Sequence, residues 1–189
     1  LYFSDATSGS GEYDGYLNYN QSTQILALGT AAATRMTIDS NGAVNMPNQP
    51  AFLATIATQA DVTGDGTSYD VTGSFFTEVY DKNSDFNNGT FTAPVTGTYH
   101  FCFVMTLTGI DASSHTNGSH TFVSSNRSIA FYNNPGADRN TSLGGNTFVF
   151  STYIDMDAND TAFFRVSVSG GSKVVDLFST STMSGVLVS

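Results

Sequence analysis

Two stretches of this sequence set oxygen ligands at alternate positions, the spacing that a hard cation asks of a loop. "DVTGDG" at 61–66 opens like a calcium loop, with Asp61, Thr63 and Asp65 as ligands and Gly66 at the sharp turn. The bidentate carboxylate that should close such a loop is missing, because Thr72 stands there, so a solvated turn is the reading. "DMDAND" at 155–160 fails in a second way, with Asp160 where the turn requires glycine. His115 and His120 share the polar stretch "DASSHTNGSH" at 111–120, which offers too few ligands at workable spacing for zinc within one chain. His100 lies next but one to Cys102 and reads as a residue packed on a strand face. Cys102, the only cysteine, excludes an internal disulfide and sits in an apolar run as an inert thiol. No Ser, His and Asp fall into a nucleophilic arrangement, so no enzyme is expected. The sequons at Asn20, Asn88, Asn117, Asn126, Asn140 and Asn159 follow from a chain rich in Asn, Ser and Thr.

The bulk composition narrows the partners. The 189 residues carry a net charge of −10, with only 12% charged positions, fifteen Phe, nine Tyr and no Trp. An acidic surface repels nucleic acid and anionic membrane, and neither is expected as a partner. No apolar run approaches the roughly eighteen residues of a membrane-spanning helix, and no signal peptide is expected. The chain begins at Leu1 rather than Met and is read as the C-terminal part of something longer. A single cysteine fits assembly in a reducing cytoplasm.

The elements that position these residues are strands. Tyr99, Phe101, Phe103, Met105 and Leu107 alternate with His100, Cys102, Val104 and Thr106. Phe148, Phe150, Thr152, Ile154 and Met156 repeat the pattern, as do Ala162, Phe164, Val166 and Val168. Further strands are expected at 51–59, 74–80, 89–92, 127–133, 173–179 and 183–188. Turn clusters such as "NNG", "NNPGADRN" and "SGGS" divide them, which predicts an all-β sandwich or barrel. Cys102 and Val104 give the central strand a second apolar face, which calls for a subunit interface or a half-buried edge. Residues 1–49 differ: short apolar clusters between polar joints, with Asn41-Gly42 as a hairpin signal between "MTID" and "AVNM". So small a segment does not bury enough to stand alone, so copies of itself are the simplest partners. "MPNQP" at 46–50 marks the junction, giving a shaft or neck segment at 1–49 and a head at 50–189.

The stretch "NNGTFTAPVTGTYHF" resembles the signature of C1q-type globular domains, carried by Gly89, Phe91, Ala93, Pro94, Gly97, Tyr99 and Phe101. "PAFLA", "FTEVYDKNSDF", "YIDMDANDTAFFRVSV" and "STMSGVLVS" extend the likeness across roughly 50–189. Asn159-Asp160 departs from the Gly-Asp often found there. The resemblance implies a C1q/TNF-type jelly roll assembled as a homotrimer about a three-fold axis, where an on-axis histidine would be tripled. Some members of that family bind Ca²⁺, which keeps Asp155 and Asp157 as candidate ligands. The physics of the signature follows: Gly89 and Gly97 permit turn conformations, and Pro94 fixes the chain where no ladder bond is needed. Residues 1–44 resemble repeats of bacteriophage tail fibres and related trimeric virion appendages, through Gly15, Tyr16, Leu17, Tyr19, Arg35, Met36, Ile38, Asp39, Ser40, Gly42 and Val44. That likeness implies an intertwined three-chain β-shaft.

Together these readings predict a non-enzymatic, homotrimeric virion fibre tip, extracellular when it functions. It would join other virion proteins on its N-terminal side and bind a host cell-surface polysaccharide or protein receptor. The expected binding surface is the polar loop 109–126 with the loop 133–142, and its candidate residues are His115, Asn117, His120, Tyr132, Asn134 and Arg139. Two rival readings are a secreted C1q-type recognition protein of a cellular organism and a trimerisation cap without a ligand.

Overall fold

The computed structural model describes residues 1–3, 7–138 and 145–189. They divide into two compact units, Leu1–Gln49 and Pro50–Ser189. Arg139 and the rest of the 139–144 stretch lie outside the described residues.

The first unit is one antiparallel sheet of β1 (Tyr2–Phe3), β2 (Gly15–Asn20), β3 (Ile25–Thr30), β4 (Ala33–Ile38) and β5 (Val44–Asn45), in that order, with a 3-10 turn at Ser10–Glu12. Its turns are built by side chains that bond their own backbone. Asn20 Oδ1 accepts from the Ser22 and Thr23 amides at 3.0 and 3.2 Å. Asp39 Oδ1 accepts from Asn41 and Ala43 at 2.8 and 2.9 Å, and Gly42 takes the positive φ of 83° that this hairpin requires. Register sorts the side chains into two faces. Phe3, Leu17, Tyr19, Leu26, Leu28, Met36, Ile38 and Val44 form an apolar face. Tyr2, Tyr16, Asn18, Thr34, Thr37 and Asn45 occupy the other. Among the described residues of this unit only Gly29 is buried, so the apolar face has no core beneath it.

The second unit is a two-layer sandwich. One sheet runs β10 (Phe86–Asn87), β11 (Thr90–Thr92), β16 (Thr161–Ser169), β13 (Asn117–Ser124) and β14 (Ser128–Asn133), with β8 (Ser68–Asp70) also on β16. The other runs β7 (Gln59–Thr63), β17 (Val175–Leu177), β12 (Gly97–Thr108), β18 (Thr182–Leu187), β6 (Ala51–Ile56) and β9 (Phe76–Lys82), with β15 (Gly145–Met156) along the length of β12. The core between them is aromatic: Phe52 stacks on Phe86 at 4.2 Å, Phe103 meets Phe164 at 4.5 Å, and Tyr99, Phe101 and Phe122 are fully buried. The alternation read along β12 holds, with Tyr99, Phe101, Phe103, Met105 and Leu107 all inside.

Two expectations need correction. Gly89 does hold a positive φ of 88°, but Gly97 does not have one; it opens β12. A Cβ there would stand 2.5 Å from the Ser189 carbonyl and 2.7 Å from Leu187 Cδ1, so the glycine admits the closing strand rather than a turn. The polar loop expected over 109–126 is shorter than that, because β13 occupies Asn117–Ser124. Its outward positions include Asn117, Ser119 and Thr121 and one inward position is His120, so the alternation carries little hydrophobic contrast.

Candidate functional site

The loops converge at one end of the second unit. Leu187 pairs with Tyr99, and its amide bonds the Pro50 carbonyl at 3.0 Å, so the chain enters beside the start of β12. Gly109 leaves by the other end, roughly 30 Å away at the rise of a strand. There the segments 64–67, 109–116, 134–138 and 170–174 are tied together by backbone bonds, including Gly171 N to Gly64 O at 3.1 Å and Gly136 N to His115 O at 2.9 Å.

His115 is the knot. It is buried, its Nδ1 accepts from the Asp111 amide at 2.8 Å, and Nε2 lies 3.0 Å from the Ser172 carbonyl. An Nδ1 that accepts leaves the proton on Nε2, which therefore donates to Ser172. Gly171 exists to clear this ring, since a Cβ there would fall 2.3 Å from Nε2. Asp111 caps the same turn, and the hydroxyl and amide of Ser113 at 2.7 and 2.8 Å hold its carboxyl below the ordinary range.

His120 is also buried, on the inner face of β13 against Phe150 (5.0 Å) and Phe148 (6.4 Å). Its Nε2 bonds Asn133 Oδ1 at 3.1 Å, while His120 Nδ1 and Asn133 Nδ2 have no partner. Burial pushes its pKa down to about 4, against the opposing pull of Asn133. Neither histidine reaches the surface expected of it. Asn117, Asn134 and Tyr132 do, and the Tyr132 side chain is 76% exposed on the edge strand β14. Asn134 Oδ1 caps its own turn by accepting from Ala137 at 3.0 Å.

The acidic residues do not assemble into a metal centre: among the described residues no three His, Cys, Asp or Glu side chains are placed to hold an ion. Asp155 pairs with Arg127 at 2.7 Å, and Asp160 Oδ2 accepts from the Asp157 amide at 2.7 Å. Asp65 Oδ1 accepts from the Thr67 amide at 2.9 Å, as a turn residue does. His100 Nε2 lies 2.7 Å from Ser151 Oγ on an open sheet face. A serine–imidazole pair needs an acid to orient the ring, and none of the described residues bonds His100 in that role.

The outer faces of the two sheets differ in kind. Across the seven-stranded sheet, three rows read Tyr153–His100–Val186–Ala51–Lys82, Ser151–Cys102–Ser184–Leu53–Tyr80 and Val149–Val104–Thr182–Thr55–Thr77. Lys82 is the one charge in these rows, while Val149 and Tyr153 stand 64% and 62% exposed. The Cys102 thiol within them is half-buried, which pushes its pKa up. The outer rows of the six-stranded sheet read Tyr132–Ser119–Ser167–Ser68 and Ala130–Thr121–Arg165–Asp70, with Arg165 forked onto Asp70. Sequence reading noticed the second apolar face of β12. It missed that the face runs on over four neighbouring strands, because strand order is not written in any local pattern.

No protein-family model and no curated protein matches the sequence. Solved structures do. The globular domain of zebrafish complement 1qA protein aligns over 75% of this chain and 98% of its own, at 19% identity and a TM-score of 0.51. Murine APRIL aligns over 74% of this chain and 99% of its own, at 10% identity and a TM-score of 0.50. At these identities the likeness concerns the fold, a C1q/TNF-type jelly roll. No helix among the described residues is long and apolar enough to cross a membrane.

Proposed function

We propose that this chain forms the tip of a homotrimeric virion fibre or tail appendage, in which the second unit is a head that binds a host-surface glycan. The observation that carries the trimer is the central patch on the outer face of the seven-stranded sheet, the three rows through His100, Cys102 and Val104, where Lys82 is the one charge and Asp155 and Asp176 lie only at the flanks. A solvated face of a two-layer sandwich is ordinarily polar and charged, as the opposite face is here. Two further copies packed about a three-fold axis would cover it. The first unit supports the same reading, because its apolar face, with hollows of about 500 and 320 Å³, lacks a second layer. The fibre context rests on the likeness of residues 15–44 to phage appendage repeats, and the N-terminal side would join other virion proteins.

The receptor surface assigned to the head is the loop cluster opposite Pro50, with Asn117, Tyr132 and Asn134 as contacts. Amides, hydroxyls and one exposed aromatic suit weak sugar binding, and three copies multiply it. His115 and His120 support this surface from within. The test is the purified chain, weighed by light scattering and then applied to a glycan array. A mass about three times 20.0 kDa is expected. Replacing Asn117, Tyr132 and Asn134 together by Ala should abolish binding to at least one class of arrayed glycan, with mass and melting temperature unchanged. Undiminished binding by that variant would remove the loops from the receptor role.

A further inference from the structure

The polar face of the first unit carries a cleft that the head reading does not use. It holds about 250 Å³ and is lined by residues that include Tyr2, Tyr13, Tyr16, Asn18, Ala32 and Thr34. Several features mark it as built. Tyr16 lies across β3 over Gly29, where a Cβ would come within 2.1 Å of the ring, and its hydroxyl is fixed to Thr34 Oγ1 at 2.6 Å. Tyr2 stands edge-on to Tyr13 at 5.3 Å and to Tyr16 at 6.4 Å. The turn that supplies Ala32 holds Ala31 and Ala32 at φ of 52° and 56°, where Asn-Gly would be at ease, and the Ala32 amide is tied to the Asp14 carbonyl at 3.0 Å. Strained backbone of this sort gathers at ligand clamps.

The lining chooses the ligand. Among the described residues no charged side chain borders the cleft, and those residues that do border it offer no counter-charge to an anion or an ammonium group. Three aromatic rings, one amide and several hydroxyls fit the apolar C–H face and the hydroxyl rim of a sugar. The volume lies below that of a drug-sized site, which suits one ring rather than an oligosaccharide. We propose that this cleft is a subsite for a neutral saccharide, distinct from the loops of the head. The inference rests on the reading that the apolar face of this sheet, and not the tyrosine face, is the one covered by other copies.

The full chain would be tested on an array bearing neutral, anionic and phosphocholine-modified glycans. Neutral-glycan binding should fall about tenfold in Tyr2→Ala/Tyr13→Ala and in Tyr13→Ala alone, persist in Tyr13→Phe, and persist in Tyr132→Ala. Tyr13 lies outside the strands, so the single variant spares the sheet, and amide-exchange protection of residues 25–30 verifies that. Unchanged binding in both alanine variants overturns the proposal, as does a response confined to phosphocholine or anionic glycans. Loss in Tyr132→Ala alone overturns it while leaving the head as receptor binder. A light-scattering mass of a single chain defeats the trimer reading separately.

Discussion

His120 is the residue whose environment makes the sharpest demand. Its pKa is about 4 in the fold, against 6.5 for a free imidazole, so the folded state holds only the neutral ring. The unfolded chain takes up the proton first as pH falls. The stabilising contribution is therefore complete above pH 6.5 and is lost between 6.5 and 4, by about 3 kcal/mol per chain at most. Denaturant unfolding at pH 7.5, 5.5 and 4.5 should show this slope, and His120→Phe should flatten it. A slope unaltered in that variant would assign acid sensitivity elsewhere. None of this was legible in "DASSHTNGSH", where both histidines read as solvated. What buries His115 is a carbonyl 57 positions away, and what partners His120 lies 13 away, on the next strand.

At the scale of elements, legibility followed contrast. β12, β15 and β16 alternate strongly and were evident from the sequence alone. β13 alternates too, but between a mostly polar outer row and a glycine, an imidazole and a phenyl inside, so its pattern resembles a loop. β7 and β8 hid within "DVTGDG" and its neighbours for the same reason, and Thr63 is buried there by bonding Val168 and Thr67. The signature glycines were recognised, though one for the wrong cause. Gly97 faces the chain's end, so Gly97→Val should push Ser189 and Leu187 away and cost roughly 1–3 kcal/mol through overpacking. Thermal unfolding measures it. An unchanged melting temperature would mean that the closing strand yields freely.

Assembly is the question that belongs to the whole molecule. If the seven-stranded sheet meets its copies through the rows centred on His100, Cys102 and Val104, an unpaired carboxylate there must be desolvated in each of three subunits. Val104→Asp should then yield single chains of 20.0 kDa by light scattering. The matching change Thr121→Asp on the hydroxyl-bearing outer face of the other sheet should leave the assembly whole. Equal behaviour of the two variants would take the interface off this sheet. The contrast between the faces came only with strand order, since each strand separately brings only two or three uncharged residues to these rows, which is unremarkable.

The entry of the chain at Pro50, with the loop cluster at the other end of β12, also sets how this head would bear a pull. A ligand gripped by the loops and an anchor attached at Pro50 would load the sandwich lengthwise. β6, the first strand after the anchor, is paired with β18 on one side and β9 on the other, and its hydrogen bonds run across the line of tension. Loaded in that direction, the bonds cannot open one after another from an end. They must slide together, so the strand that takes the strain first is held along its whole length from both sides.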